Sequence, residues 1–310
     1  HVTGVQTCAL PICPVTMVVP FAAGGPMDTV GRIMAAALSD TLGQSVIVEN
    51  VGGGGGMTGS ARVAKAAPDG SQFVLGNVGT HAVAQTLSKN PPYNVTQDFA
   101  PVGLFADLSL VLVTRKDLPA GNLQEFIAYA KANQDKMQFG SASAGSATHL
   151  GCALLNAAAG VTVTHIPYRG GAPAMQDLVG GRIDYLCIDT PIAIPLIEGG
   201  QIKALAILTR DRSSSLPNLP SAQEQGLAGF EAANWAAFFM PKGTPGAIVA
   251  KLNAATAKAL DDPAVQKRMK DVGIDPVGPD RRSPAYLAKF AESEIAKWGS
   301  AVKAAGVTAE

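Results

Sequence analysis

Short apolar runs alternate along this chain with stretches in which apolar residues recur every three or four positions. Residues 16–19 form the first run. It leads through Pro20, Phe21, Ala22, Ala23, Gly24 and Gly25 into a helical pattern that puts Val30, Ile33, Met34, Ala37 and Leu38 on one face. Gly43 ends that helix, and residues 46–48 predict the next strand. A glycine run at 52–56, a helix over 57–67, a turn at 68–70 and a strand at 73–75 follow. Further on, strands at 110–113, 137–140, 161–166, 183–188 and 204–208 alternate with helical patterns near 123–130 and 173–179 and with a loop and its helix over 141–159. After a loop rich in Ser and Pro at 213–220, the last third reads as largely helical, over 245–260, 263–272 and 284–305. Strands alternating with helices predict parallel sheets covered on both faces. Two domain-sized blocks of this kind predict an α/β clamp that closes around a ligand.

Two strand–loop–helix segments carry candidate chemistry. In the first, Gly24 and Gly25 let the backbone approach a ligand closely, and Pro26 and Asp28 suit the first turn and the cap of the helix. A helix N-terminus carries partial positive charge, so the segment is a candidate seat for a small anion. An ordinary strand–helix turn would read the same way. In the second, Ser141, Ser143, Gly145, Ser146, Thr148 and His149 lie between a short strand and an apolar helix, with hydroxyls able to donate to an anion. Two such seats point to a ligand held between two lobes.

Composition narrows the classes. The 310 residues, 47% of them apolar, suffice for a large core or two lobes. Basic and acidic residues balance at 24 each, and no basic run offers a footprint for nucleic acid. Aromatics, at 5%, are too few for a base-stacking platform. Residues 2–12 read as the in-frame translation of a common sequencing adapter, so 1–13 is expected to be an artefactual or non-native start. The competing reading is the apolar remnant of a signal peptide, which no basic segment precedes. Of four cysteines, Cys8 and Cys13 fall in this stretch. Cys152 and Cys187 remain, either as two buried thiols or as a disulfide in an exported protein.

Three enzyme-like features are weaker. Gly54, Gly56 and Gly59 fit a dinucleotide-binding G-x-G-x-x-G, which leaves a Rossmann-type enzyme as the alternative function. The acidic residue that fingerprint needs is missing, because Gly76 and Asn77 stand at the end of the next strand. His149 with the neighbouring serines or Cys152 could form a hydrolase pair, but a helix-start histidine donating to its loop or to solvent is the favoured reading. Arg169 could reach a carboxylate or lie in solvent.

The motifs taken together resemble a known family. Residues 20–25 with Asp28, Gly43-Gln44, Ala67-Pro68-Asp69-Gly70, Asp98-Phe99-Ala100-Pro101, Gly140-Ser141 with His149, His165-Ile166-Pro167-Tyr168-Arg169-Gly170, Asp177-Leu178-Val179-Gly180-Gly181, Leu216-Pro217 and Lys242-Gly243-Thr244-Pro245 occur in the order of the Bug family. That family comprises the extracytoplasmic solute receptors of tripartite tricarboxylate transporters, and the resemblance runs from about residue 15 to 306. It implies a type II periplasmic-binding-protein fold with two α/β lobes and a ligand cleft between them. Lobe one would be residues 14–114 plus 231–310, and lobe two residues 115–230. It implies a periplasmic monomer with no catalysis, no cofactor and no metal, which holds a small carboxylate and hands it to membrane components of the transporter. By position, the ligand would be held by Phe21, Ala22, Gly24, Gly25 and Asp28 from lobe one. Ser141, Ser143, Gly145, Ser146, Thr148 and His149 would hold it from lobe two. Asn77, Thr80, His81, Asp189 and Thr190 would read the rest of the ligand. Many members carry Arg-Pro before the glycine run, where this chain has Val51-Gly52.

Overall fold

Strand pairing divides the molecule into two sheets that share one long strand. The computed structural model describes residues 14–88 and 90–304, so segment 1–13 with Cys8 and Cys13 lies outside the described residues. The strands are β1 (Val15–Val19), β2 (Val46–Asn50), β3 (Gln72–Gly76), β4 (Phe99–Arg115), β5 (Gln138–Ser141), β6 (Thr164–Pro167), β7 (Tyr185–Asp189), β8 (Ile202–Ile207), β9 (Ala233–Pro241) and β10 (Ile274–Pro276). The first sheet runs β2-β1-β3-β9-β4, with β10 on the other side of β4. The second runs β6-β5-β7-β4-β8. Strand β4 changes partners between Ser109, paired with Ala233, and Leu110, paired with Asp189. In each sheet the order is second, first, third, then the strand that has crossed from the other lobe, then fourth.

That topology corrects two expectations. Strands β1, β2 and β3 are parallel, as are β5, β6 and β7, but each crossing strand is antiparallel to both its neighbours: β9 against β3 and β4, and β4 against β7 and β8. A parallel neighbour requires a crossover connection within the same sheet, which a strand entering from the other lobe does not have. The last third holds the three expected helices, but it also supplies β9, a strand the sequence pattern did not show, to the middle of the first sheet. Buried along nearly its whole length, β9 shows neither the two-residue nor the 3.6-residue period.

Packing fixes where the sheets end. Val15, Met17, Val19, Phe105 and Phe238 pack into one apolar cluster with residues of the helices Pro26–Leu42 and Gly246–Asp261. In the second lobe Val111, Val113, Leu186 and Ile188 pack with residues of the helices Gly171–Val179 and Thr190–Glu198. A third cluster crosses between the lobes, from Val74 and Phe99 through Leu110 and Leu112 to Leu150 and Tyr185. The C-terminal helix Pro284–Ala304 joins it through Trp298, and Glu294 Oε2 accepts from the indole N–H groups of both Trp235 and Trp298 at 3.0 Å. The carboxyl ends of β1, β5, β6 and β7 each lead into the N-terminus of a helix. In open α/β sheets the crevice outside those strand ends is where ligands bind.

Candidate functional site

The loop after β1 is shaped by a carboxylate that looks backwards. Gly25 precedes the helix Pro26–Leu42 as its cap, with no side-chain bond, and Pro26 starts the first turn. Asp28 therefore corrects the expectation of a capping role. Its Oδ2 accepts from the Gly24 N–H and from Arg32 Nε, both at 2.9 Å, and its Oδ1 accepts from Asn50 Nδ2 at 2.9 Å. The same Asn50 amide donates to the Phe21 carbonyl at 3.0 Å. Burial would raise the Asp28 pKa, but the bonds from Arg32, Gly24 and Asn50 outweigh it and hold the carboxyl below its ordinary value. Asp28 is a brace for the loop.

The second loop is tied up by its own hydroxyls. Ser146 caps the helix Ala147–Ala159, its Oγ accepting from the His149 N–H, and it donates to the Ser143 carbonyl at 2.7 Å. Thr148 Oγ1 accepts from the Ala142 N–H at 2.8 Å. Ser141 Oγ lies 3.0 Å from the Ser143 carbonyl and 2.7 Å from His165 Nε2. His149 accepts a bond from the loop, its Nδ1 taking the Gly145 N–H at 3.1 Å, and its ring stacks on His165 with centroids 3.9 Å apart. Burial pulls the His165 pKa down to about 4, so that ring brings no positive charge to the loop at neutral pH.

Two more helix N-termini complete the site. Gly171–Val179 follows Gly170, and Thr190–Glu198 follows Asp189, in both cases with no side-chain cap. One narrow cavity is lined by residues from the starts of all four helices: Gly25, Pro26 and Met27; Ser146, Ala147 and Thr148; Gly171; and Asp189. Phe21, Asn77, Ala142 and Asn234 complete its wall. Each N-terminus is equivalent to roughly half a positive charge. The cavity thus has the potential of an anion site while, among the described residues, no Lys, Arg or His lines it.

Of the residues expected from sequence, Phe21, Gly25, Asn77, Ser146, Thr148 and Asp189 line this cavity. Others lie where the lobes touch. A Cβ on Gly170 would stand 2.8 Å from that of Ala22, and one on Gly24 would stand 3.7 Å from Ala172 Cβ. Ser143 Oγ accepts from the Gly55 N–H of the other lobe at 3.0 Å, and Ser143 and Gly145 line a neighbouring pocket with Gly54, Gly55 and Gly79. The glycine run is thus a lobe–lobe contact, with Gly55 facing the Ala144 carbonyl.

Three expected residues point elsewhere. Thr80 is bonded to Asn77 and His81. His81 is stacked on Phe239 in the core, where burial pulls its pKa down to about 3. Thr190 Oγ1 donates to the Gly273 carbonyl at 2.7 Å. Arg169 is exposed. Cys152 is joined to Cys187 in a disulfide, with Cα atoms 5.3 Å apart, so it offers no thiolate for a hydrolase pair.

Sequence reasoning missed Asn234 and Gly171. The signal for Asn234 was a lone amide within the apolar run of β9, and for Gly171 a glycine pair directly before a helix. Asn234 matters through Asp189, which is 2% exposed and accepts from Asn234 Nδ2 at 2.8 Å. Burial pushes the Asp189 carboxyl up to about 6, although the Asn234 bond pulls the other way. An unfolded Asp titrates near 3.9. Between these values the folded state binds the extra proton, so stability falls as pH rises from about 4 to about 6 and then levels off. From this group alone the ligand-free protein is expected to lose on the order of 2–3 kcal/mol over that interval. Urea unfolding of wild type and Asp189→Asn should show the variant gaining on the wild type as pH rises. A difference that is constant with pH would refute the assignment.

The model for the family described as "Tripartite tricarboxylate transporter family receptor" matches residues 30–307. Among solved structures, the periplasmic binding protein BugD is 40% identical, with a TM-score of 0.93 over 97% of this chain and all of that one. MatC from Rhodopseudomonas palustris, solved with bound malate, is 41% identical, with a TM-score of 0.91 over 94% of this chain and 99% of that one. A second R. palustris protein, solved with adipate, is 35% identical, with a TM-score of 0.92 over 96% of this chain and 99% of that one.

Proposed function

The chain belongs to the tripartite tricarboxylate transporter family receptors, and from that premise we propose that it closes its two lobes on a small carboxylate and delivers it to the membrane components of such a transporter. It is a solute-binding receptor of the periplasmic-binding-protein fold, and its relatives are receptors, not enzymes. The observation that carries the ligand class is the convergence of four helix N-termini on one cavity. Main-chain N–H groups would hold the carboxylate there, with lobe one formed by residues 14–114 plus 231–310 and lobe two by 115–230. Each hydrogen bond to a charged group contributes about 1.5–3 kcal/mol. Four or five of them, less the ordering costs of closure, support micromolar affinity, about −8 kcal/mol.

Malate and adipate in the two R. palustris relatives make C4 to C6 dicarboxylates the first ligands to test. The Rossmann alternative loses its main feature, since the glycine run is occupied by contact with the other lobe. A thermal-shift panel of mono- and dicarboxylates together with NAD decides between the two. At least one carboxylate should raise the melting temperature by several degrees and NAD should not. A shift with NAD alone would overturn the receptor reading for this chain.

A further inference from the structure

Among the described residues that line the cavity, Asp189 is the one ionisable side chain. We propose that it makes the site select carboxylates bearing a hydroxyl or ammonium group near the bound carboxylate, by accepting a hydrogen bond from that group. This rests on the receptor reading above.

The geometry around Asp189 is over-determined. It precedes the helix Thr190–Glu198 as its cap residue, yet its side chain makes no capping bond. It is held by Asn234 Nδ2 instead. The orientation of that amide is fixed by the backbone, because Asn234 Oδ1 accepts from the N–H groups of Val78 at 3.3 Å and Trp235 at 2.9 Å. Only the NH2 end is left for Asp189, which makes its Oδ1 an acceptor. A buried carboxyl has thus been built into a cavity whose main-chain dipoles favour anions.

A bare carboxylate entering this cavity meets a like charge, and the pair is tolerated only if Asp189 takes up a proton. A carboxylate with an adjacent O–H or N–H donor converts the same encounter into a charge-assisted hydrogen bond. Removing that donor leaves the buried acceptor unpaired, which sites of this kind discriminate against strongly.

Calorimetric titration at pH 7.5 with matched pairs tests this: succinate against malate and aspartate, glutarate against 2-hydroxyglutarate and glutamate, and propionate against lactate. In the series that binds best, the donor-bearing member should bind at least about tenfold more tightly. It should do so with no net proton uptake, read by repeating the titration in buffers of different ionisation enthalpy. In Asp189→Asn the preference should shrink to within about threefold. Equal affinities within the pairs overturn the inference. So does tighter binding of the unsubstituted acid with uptake of one proton, which would make Asp189 a donor. The wild-type ratios and proton count decide the matter even if the variant folds poorly. Failure of every carboxylate to bind would overturn the receptor reading as well, and is distinct from binding without preference.

Discussion

A methyl group added at Gly170 is expected to weaken carboxylate binding by about ten- to a hundredfold while leaving the ligand-free protein as stable as before. The three atoms nearest to a Cβ at this position all belong to Ala22, which lies on the other lobe, with Ala22 Cβ at 2.8 Å and its N at 3.3 Å. Neither is the end of a flexible side chain, so the loops must separate to make room. Overpacking of this kind costs about 1–3 kcal/mol, and each 1.4 kcal/mol is tenfold in affinity. A ligand-free state with the lobes apart would relieve the contact, and the cost would then fall on closure and not on folding. Gly79→Ala tests the same boundary from lobe one, since its Cβ would lie 3.1 Å from Ser146 Cα. Gly246→Ala is the control, with nothing within 4 Å of the new atom. Affinity should be read by calorimetry and ligand-free stability by urea unfolding. Unchanged affinity in both Gly170→Ala and Gly79→Ala would show that the lobes do not close along these loops.

The first seat was legible because its parts are local. An apolar run, two glycines and a proline at a helix start are all read from adjacent residues, and the structure builds Val15–Val19, the loop and Pro26–Leu42 from them. What stayed hidden traces largely to one element. Strand β9 is apolar at almost every position and carries no period, so its place in the sheet could not be read. It brings Asn234 to Asp189, Phe239 over the ring of His81, and Trp235 to Glu294. Missing β9 therefore hid a wall of the cavity and also left His81 looking like a ligand contact. The hydroxyls of the second loop illustrate a different limit. Residue type shows that Ser143, Ser146 and Thr148 can donate, but the fold uses them to brace the loop and to meet Gly55. The proposed anion donors are therefore main-chain N–H groups, a role that every sequence has and none displays.

Loss of the Cys152–Cys187 disulfide should cost about 4 kcal/mol of stability. The bridge spans 35 residues of chain. Closing such a loop in the unfolded state falls between the roughly 3 kcal/mol of a 15-residue loop and the roughly 4.7 kcal/mol of a 100-residue loop. Its position gives the bond a second consequence. Cys152 lies on the helix Ala147–Ala159, whose first residues line the cavity, and Cys187 is two residues before Asp189 on β7. The bond therefore clamps two of the four helix starts to each other through buried strand and helix. The double variant Cys152→Ala/Cys187→Ala should unfold at markedly lower urea with a similar slope, and its carboxylate affinity should fall by less than about tenfold, since the cavity's own donors remain. Reducing the wild-type protein should reproduce the stability loss, which separates the covalent link from the small change in side-chain packing. A loss below about 1 kcal/mol in both experiments would mean that the unfolded chain is not constrained by this link. A disulfide with this much leverage suits an oxidising compartment such as the periplasm, where receptors of this family work.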